Sequence, residues 1–495
     1  MPSLSRLTDR PTAATVVIAG VGVVGSALVA RASYVVGTLP GHHLDRAAAT
    51  GAYRWPYEIG VALLVLAWLA LGRLVLDPTV PGMTRRVCWA AAAMAAPLLV
   101  AAPVTSQDVW SYLAQANVAA HGLDPYSVGP NAVPGPFAHA VAHEWTDHPS
   151  PYGPLWVGLS RVVVQIAQPH PWAGMFLLRL VAAAGIVATG FALTRLCRAT
   201  GWRAEVALWL TLAGPFALLM LVGAVHNDSV MLALLVGGVT VAATVRSLRT
   251  AILVGAVLVG AAAAVKVTAL VALPFLPLVW HWYAADSDAA DPANRRPPTL
   301  GRWIVAGTAS VTAGVAALLL TGPLLGFDLG WISQVGDGTV GVSWLSVPQQ
   351  VGNLLHLVAP DRVAGHARDR YSLMHPIGLA LLALGLAVVT LTARRRPPLR
   401  TLTWVTLLLV VSSPAPRPWY LLWPLVFLAA DRLSPRALVA VVAGSATLAL
   451  WFPPAVHPAV PEWILPALFF PLAALIVLTV LPTTARRPTS TPPSA

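Results

Sequence analysis

The chain has 495 residues, of which 57% are hydrophobic and 10% are charged, and its formal net charge is +12. Soluble domains carry about 25% charged residues, so this composition indicates a polytopic membrane protein and excludes a soluble domain of any size. The cysteines, Cys88 and Cys197, both lie in or beside apolar segments, which argues against a disulfide framework or a cysteine metal site.

Apolar runs of roughly spanning length recur along the sequence, and each is expected to form a membrane helix. They predict an all-α bundle of about 13–14 transmembrane helices in one domain over residues 1–481, followed by a tail at 482–495 that its Pro, Thr and Ser content predicts to be disordered. The runs lie at 15–31, 58–77, 87–103, 172–194, 204–222, 228–245, 302–320, 372–391, 437–452 and 463–481. Shorter pieces pair up at 251–265 with 267–282 and at 401–413 with 418–430, which gives 14 candidate spans.

Two of the apolar segments have alternative interpretations. The run at 15–31 follows Arg6 and Arg10, as in a signal peptide, but a chain with many spans more often keeps such a run as an anchor. The segment 154–168 is ambiguous in length, and we expect a re-entrant or juxtamembrane helix there rather than a full span.

The distribution of charged residues divides the loops between these spans into two groups, one on each side of the membrane. One side collects 21 of the 31 basic residues but only 7 of the 19 acids, and cytoplasmic loops carry such an excess. This predicts a plasma-membrane protein with both termini in the cytoplasm and two long outer loops, at 104–154 and 321–371. The basic charge is thus a topology signal, and no nucleic acid partner is predicted.

The first outer loop opens with TSQDVWSYLAQ, just after an apolar run. On a helix, Asp108, Tyr112 and Gln115 would share one polar face. Asp108 either caps a juxtamembrane helix, where Asp is favoured, or serves a reaction at the membrane boundary.

The rest of this loop is rich in turn residues and aromatics. GLDPYSVGP, with Asp124 and Tyr126, has the chemistry of a rigid turn, and Tyr152 follows in SPYGP. A zinc cluster is the alternative use of the polar residues here, but their spacing fits tetrahedral zinc motifs poorly, and we predict no metal. The residues concerned are His139, His143, Glu144, Asp147 and His148.

GAVHNDS places His226, Asn227 and Asp228 between the outer ends of two adjacent apolar runs. Three consecutive polar side chains are costly there unless they cap a helix, pair or bind a ligand. Capping by Asn227 and Asp228 and binding of a substrate are the two interpretations that the residues leave open.

Cationic residues follow near the same boundary. Lys266, the only lysine of the chain, lies in AVKVTALVALPF and either snorkels to the headgroups or binds a phosphate. RPWYLLW brings Arg417, Trp419 and Tyr420 together, either as an aromatic belt or as a site where Arg417 holds a phosphate.

Seven motifs in this order, spread over residues 106–423, resemble the actinobacterial polyprenyl-phosphate-mannose-dependent α-1,6-mannosyltransferases, which are membrane glycosyltransferases of the GT-C fold. The motifs are SQDVWSYLAQ, GLDPYSVGP, SPYGP, GAVHND, AVKVTALVALPF, SWLSVP and RPWYLLW. The resemblance implies transfer of mannose from polyprenyl-phosphate mannose to an α-1,6-mannan of lipomannan or lipoarabinomannan, or to a lipid-anchored oligomannoside, at the outer face of the membrane. It also implies an acid in the first large outer loop as catalytic base, which falls on Asp108.

The reaction needs groups of the kinds found in these motifs. In an inverting transfer a carboxylate takes the proton of the attacking hydroxyl, and we assign this role to Asp108. Lys266 and Arg417 would stabilise the departing lipid phosphate, so that neither a metal nor a nucleotide cofactor is required. The predicted substrate-binding residues are Tyr112, Gln115, Asp124, Tyr126 and Tyr152 on one wall and His226, Asn227, Asp228, Trp419 and Tyr420 on the other.

Two other functions remain open at this point. A transporter or flippase of a lipid-linked sugar would share the many spans and interfacial aromatics, although its polar groups are usually at the membrane midplane rather than at one face. A related transferase could use another lipid-linked sugar, such as arabinose, and only the family resemblance favours mannose.

Overall fold

The computed structural model describes residues 11–36, 39–40, 54–284, 297–334, 343, 345–359, 367–413 and 416–451. Within these ranges the chain forms helices and no strand, which confirms the all-α fold. The apolar run predicted at 463–481 and the tail at 482–495 lie outside the described residues.

We number the α-helices of seven or more residues in chain order. They are α1 Pro11–Val36, α2 Arg54–Leu76, α3 Met83–Ala95, α4 Asp108–Ala120, α5 Pro154–Ala167, α6 Pro171–Thr200, α7 Ala204–Leu210, α8 Asp228–Thr244, α9 Leu248–Ala263, α10 Leu276–Tyr283, α11 Leu300–Leu324, α12 Val347–Val358, α13 Ala367–Ala393, α14 Pro398–Ser412, α15 Leu422–Ala429 and α16 Pro435–Trp451.

Among the described residues, five helices are long and apolar enough to cross a membrane, and they belong to α1, α2, α6, α11 and α13. A sixth span results if α7 and the stretch Pro215–Gly223, bent by 55° from each other, are counted together. Most of the other predicted runs form apolar helices of 10–17 residues. The chain is therefore a multi-pass membrane protein in which several of the predicted spans are short or broken.

The breaks occur where proline or glycine interrupts an apolar run. In the run predicted at 87–103, α3 ends at Ala95, a 3-10 helix follows over Ala96–Val100, and the backbone is extended at Ala101. Pro97 lacks the amide that a continuing α-helix would use. In the run at 204–222, α7 ends at Leu210, and a π-helical stretch, Leu218–Gly223, completes the segment. Each break leaves backbone carbonyls without partners in their own helix.

The ambiguous segment at 154–168 folds as α5, a helix of 14 residues. At 1.5 Å per residue it measures about 21 Å, less than the roughly 30 Å of a bilayer core. It packs against α4 and α6, so it supports the helix that begins at Asp108. Its length agrees with the predicted juxtamembrane or re-entrant helix better than with a full span.

Two glycines allow close approach where the polar segments meet. A Cβ at Gly185 of α6 would lie 2.7 Å from the carbonyl oxygen of Ser229. A Cβ at Gly153 would lie 2.2 Å from the carbonyl oxygen of Ala264. The same oxygen accepts a hydrogen bond from the amide of Leu155 at 2.9 Å. Any larger residue at either position would push apart the segments that carry the site.

Candidate active site

Asp108 is the first residue of α4 and the preceding backbone is strained. Thr105 has a φ of +67°, an uncommon conformation for a residue other than glycine. The Ser106 hydroxyl accepts a hydrogen bond from the Asp108 amide at 3.2 Å. The Asp108 carboxylate accepts a hydrogen bond from the Tyr112 hydroxyl at 3.4 Å. The Asp108 side chain is 33% exposed. Its carboxylate thus contacts other side chains and an open space rather than only ending a helix.

His226 meets this carboxylate from the second polar segment. Its Nδ1 lies 3.4 Å from Oδ2 of Asp108, and its ring stacks on Trp419 with 3.9 Å between ring centroids. The preceding residue, Val225, has a φ of +60°, which is a strained conformation for a β-branched side chain. Strain on both sides of this contact shows that the surrounding fold holds Asp108 and His226 in place.

Asn227 is fully buried next to His226. Both polar atoms of its side chain, and Nε2 of His226, have no hydrogen-bond partner among the described residues. Buried polar groups are nearly always paired, so these atoms are positions where a hydroxyl-rich ligand or water could bind. Asn227 makes no side-chain cap on α8, although it precedes the helix.

Asp228 and Lys266 form a buried ion pair. The Lys266 ammonium donates to both carboxylate oxygens, at 3.0 and 2.9 Å, and Trp423 Nε1 donates to the same carboxylate at 2.6 Å. The ammonium also lies 4.2 Å from the ring centroid of Tyr420. Asp228 is fully buried and the Lys266 side chain is 16% exposed. Pairing and cation–π contact therefore hold Lys266, rather than simple snorkelling.

Aromatic residues of the first outer loop and α5 close the site. The Tyr112 ring packs edge-on against Tyr152 at 4.7 Å and against Trp156 at 5.1 Å between centroids. Burial and the charge of Asp108 raise the pKa values of Tyr112 and Tyr152 well above the ordinary value. Both phenols thus remain protonated and can donate hydrogen bonds.

The charges around Asp108 determine its ionisation. Burial alone would raise the pKa of this carboxyl, but the contact with His226 and the charges of Arg417 and Lys266 outweigh burial and lower the pKa to about 2. Arg417 is half-buried just before a 3-10 helix, Pro418–Leu421, which carries Trp419 and Tyr420. Asp108 is therefore a carboxylate at neutral pH, and His226, Arg417 and Lys266 favour this ionised form.

Arg179 is a residue of this region that the sequence analysis missed. It is fully buried in α6 and donates to the carbonyl oxygens of Val222 at 3.1 Å, Gly223 at 3.1 Å, Leu99 at 3.2 Å and Ala101. These carbonyls end the two broken helices that precede Asp108 and His226. The one available signal was an arginine inside an apolar run, which in a membrane helix usually indicates function or structural pairing.

Other predicted residues lie outside this group of contacts. Asp124 accepts the Tyr126 amide at 3.0 Å and bonds the Ser127 hydroxyl, as expected for the turn interpretation of GLDPYSVGP. The Tyr126 ring packs against Phe327 at 6.0 Å. Gln115 is buried on α4, and its Oε1 has no hydrogen-bond partner in the described ranges. The substrate-binding roles of Asp124, Tyr126 and Gln115 remain predictions.

The histidines of the first outer loop do not gather into a metal site. In the part of the chain that the structure describes, no group of three His, Cys, Asp or Glu residues could hold a metal ion. The side chain of Glu144 lies outside the described residues. The expectation of a reaction without metal or nucleotide cofactor stays a prediction.

Comparison with known proteins identifies the family. Residues 16–284 match the model of the alpha-(1->6)-mannopyranosyltransferase N-terminal domain, and residues 350–482 match the MptB C-terminal domain. The chain is 33% identical over 393 residues to alpha-(1->6)-mannopyranosyltransferase A of Mycobacterium tuberculosis, covering 78% of this chain and 73% of that protein. It is 29% identical over 451 residues to alpha-(1->6)-mannopyranosyltransferase B of Corynebacterium glutamicum, covering 83% and 73%.

Among solved structures, the archaeal oligosaccharyltransferase AglB from Archaeoglobus fulgidus, in complex with an inhibitory peptide and a dolichol-phosphate, matches with 13% identity and a TM-score of 0.36. That match covers 88% of this chain and 56% of the other. A score this low supports no conclusion about shared architecture. The family models and the sequence relatives are sufficient: the chain belongs to the alpha-(1->6)-mannopyranosyltransferase family and is a membrane mannosyltransferase.

Proposed function

We propose that the protein transfers mannose from polyprenyl-phosphate mannose to an α-1,6-mannan, of the lipomannan or lipoarabinomannan type, at the outer face of the plasma membrane. The observation that carries this proposal is the position of Asp108. Its carboxylate is ionised and one-third exposed, and the cations Lys266 and Arg417 act on it from nearby. A base and an anion-binding region in one site are what transfer from a sugar phosphate requires.

The acceptor hydroxyl attacks the anomeric carbon of the donor mannose, and its proton passes to Asp108. The new carbon–oxygen bond forms as the bond to the phosphate oxygen breaks, and the electron pair of the broken bond leaves with the lipid phosphate. A hydroxyl that is bonding to an anomeric carbon becomes strongly acidic, so even a weakly basic carboxylate can accept its proton. We propose that attack and departure occur on opposite faces of the sugar, with inversion.

Lys266 and Arg417 would stabilise the negative charge that develops on the departing phosphate. Lys266 would take this role while it remains paired with Asp228. The pairing neutralises the ammonium only in part, so the ammonium would still attract a nearby phosphate oxygen. The tryptophan and tyrosine around the ammonium keep water away, which strengthens its interaction with an anion.

Sugar hydroxyls would bind to the unpartnered polar atoms next to this centre. Asn227 offers the two N–H donors of Nδ2 and the acceptor Oδ1, and His226 offers Nε2. On the opposite wall the protonated hydroxyl of Tyr152 adds a donor, while the Tyr112 hydroxyl donates to Asp108 and helps to hold that carboxylate in place. We propose that these residues select the sugar and orient it toward Asp108.

The test is transfer of labelled mannose from polyprenyl-phosphate mannose to an oligomannoside in membranes that contain Asp108→Asn. We expect a loss of at least about 100-fold, the range for removal of a general base, at unchanged protein level. Asp147→Asn is the matched control, since Asp147 is an exposed carboxylate of the same loop. Full activity of Asp108→Asn would contradict the proposed role.

The same membranes distinguish the other functions. A transferase specific for arabinose would leave labelled mannose on its carrier and would transfer arabinose instead. A flippase would move the labelled donor across the bilayer without glycosidic product. Comparison of the anomeric configuration of donor and product by NMR tests inversion, because retention would require a different set of catalytic groups.

A further inference from the structure

A groove of about 760 Å³ lies between α9 and α11, on the outside of the helix bundle. This volume falls within the roughly 300–1,000 Å³ range of ligand sites. Its walls are almost entirely apolar, and the small residues Ala309 and Ala313 leave a furrow along α11. Two arginines, Arg249 and Arg302, stand at one end of it. The groove thus combines one cationic end with a long apolar wall.

The arginine end lies far from the candidate active site. Arg249 is in the first turn of α9, whereas Lys266 follows the last turn of the same helix. The 16 residues of α9 span about 24 Å, so the arginine end of the groove is separated from Lys266 by about that length. The groove's arginines and the active site therefore lie toward opposite ends of α9, and the two cannot share one phosphate.

The two arginines are exposed and lie at helix starts, where an anion is favoured over a cation. Arg249 and Arg302 lie in the first turns of α9 and α11, where the helix dipole is positive. Among the described residues, neither guanidinium has a hydrogen-bond or ion-pair partner. Arg394 adds a third positive charge near this end, since it donates to the carbonyl oxygen of Pro298 at 3.0 Å. An anion here would offset the charges and the dipoles together.

We propose that this groove binds an anionic phospholipid, with the phosphate between Arg249 and Arg302 and one acyl chain along the furrow. Basic pockets between transmembrane helices are suited to anionic headgroups, and the exposed Leu253 and Val305 form a wall suited to an acyl chain. A second copy of the chain fits less well. A two-fold contact through this groove would bring identical arginines together.

The experiment is native mass spectrometry of the full chain in detergent, titrated with dioleoylphosphatidylglycerol and, separately, with dioleoylphosphatidylcholine. We expect the anionic lipid to bind more tightly. The double variant Arg249→Gln, Arg302→Gln should weaken its binding roughly 10- to 30-fold, since each arginine near an anionic headgroup contributes about a factor of five. Equal binding of the two lipids to the unaltered protein would overturn the proposal.

A matched control separates a local site from general attraction. Arg395→Gln, Arg396→Gln removes the same charge from two exposed arginines that do not line the groove. We expect this variant to keep the preference for the anionic lipid. If both double variants lose it equally, surface charge rather than the groove binds the lipid, and the proposal is wrong.

The furrow is tested independently of the arginines. Ala309→Trp fills it at an exposed position and leaves both guanidinium groups in place, so it should weaken binding of the anionic lipid. A phosphatidylglycerol with a photoreactive acyl chain should cross-link to peptides of α9 and α11. Unchanged binding in Ala309→Trp, or cross-links confined to other helices, would contradict occupation of the groove. Displacement by inorganic phosphate at equal concentration would show a free-anion site instead.

Discussion

Asp108 and His226, 118 positions apart in the sequence, meet at 3.4 Å between Oδ2 and Nδ1. Val225, directly before His226, and Thr105, three residues before Asp108, both have a positive φ. The carbonyls of the broken helices before these two residues bind one arginine, Arg179. The contact lowers the pKa of Asp108, against the effect of burial. Asp108 therefore remains ionised although it lies in a mostly apolar molecule.

Replacement of His226 should change the pH dependence of the reaction. His226 makes the largest contribution that lowers the Asp108 pKa, while Arg417 and Lys266 add smaller ones. In His226→Gln the pKa should rise, so the base becomes protonated, and activity is lost, at a higher pH than in the unaltered protein. The measurement is the pH profile of kcat/KM from acidic to neutral pH.

His121→Gln is the control for this profile. His121 is an exposed histidine just after α4, with a ring nitrogen 2.9 Å from the carbonyl oxygen of Asn117. Its profile should match that of the unaltered protein. An unshifted acid limb in His226→Gln would show that His226 does not determine the ionisation of Asp108.

Lys266 should affect both folding and donor binding. Lys266→Met leaves the buried Asp228 carboxylate without its cation, and loss of one partner of a buried pair costs about 3–5 kcal/mol. The double variant Asp228→Asn, Lys266→Met removes both charges and should recover most of that stability. We expect the KM for the lipid donor to stay raised in the double variant, with little change in the KM for the acceptor.

Thermal unfolding and initial-rate kinetics on the two Lys266 variants separate these effects. If the double variant regains both stability and the normal donor KM, Lys266 acts only as the structural partner of Asp228. A raised donor KM at normal stability would place the ammonium at the donor.

Arg179 should act as a positioning residue. In Arg179→Met several buried carbonyls lose their donor, and each unpaired buried group costs about 1–3 kcal/mol. Arg179→Lys keeps the charge but cannot reach all of these carbonyls with one ammonium. We expect a lower unfolding temperature for both variants, with a smaller loss in Arg179→Lys.

Kinetics at a temperature where the Arg179 variants remain folded provide the decisive comparison. Misplacement of Asp108 and His226 should lower kcat more than it raises KM for either substrate. A normal kcat in folded Arg179→Lys would mean that the segments before Asp108 and His226 keep their geometry without the hydrogen bonds of Arg179.

The side of the membrane that carries the site can be tested with a cysteine at position 147. Asp147 is an exposed residue of the first outer loop. We expect Asp147→Cys, in a background with Cys88→Ser, to react with an impermeant thiol reagent in intact cells. Cys197 is buried and serves as an internal unreactive thiol. Labelling only after permeabilisation would place the loop in the cytoplasm and contradict the topology derived from charge.

The sequence alone determined the class of this protein. A low charged fraction and repeated apolar runs of this length indicate membrane helices, because a helix forms the hydrogen bonds of its backbone N–H and C=O groups within its own segment, where lipid offers none. The order of short motifs from SQDVWSYLAQ to RPWYLLW predicted the family, and the family comparison confirmed it. Asp108 was predicted from its type and its place just beyond an apolar run, and its role as base stays a prediction.

The tertiary structure decided which polar residues meet. Lys266 pairs with Asp228, 38 positions earlier, and Trp423 joins them from 195 positions away. Local sequence describes neighbours on one helix, whereas these contacts depend on where separate helices are brought together. The role of Arg179 could not be predicted for the same reason. Its partners are carbonyls that become available only where two apolar runs break. Packing, rather than pattern, therefore brings His226 and the Asp228–Lys266 pair close to Asp108, whereas Asp124, Tyr126 and Gln115 lie outside these contacts.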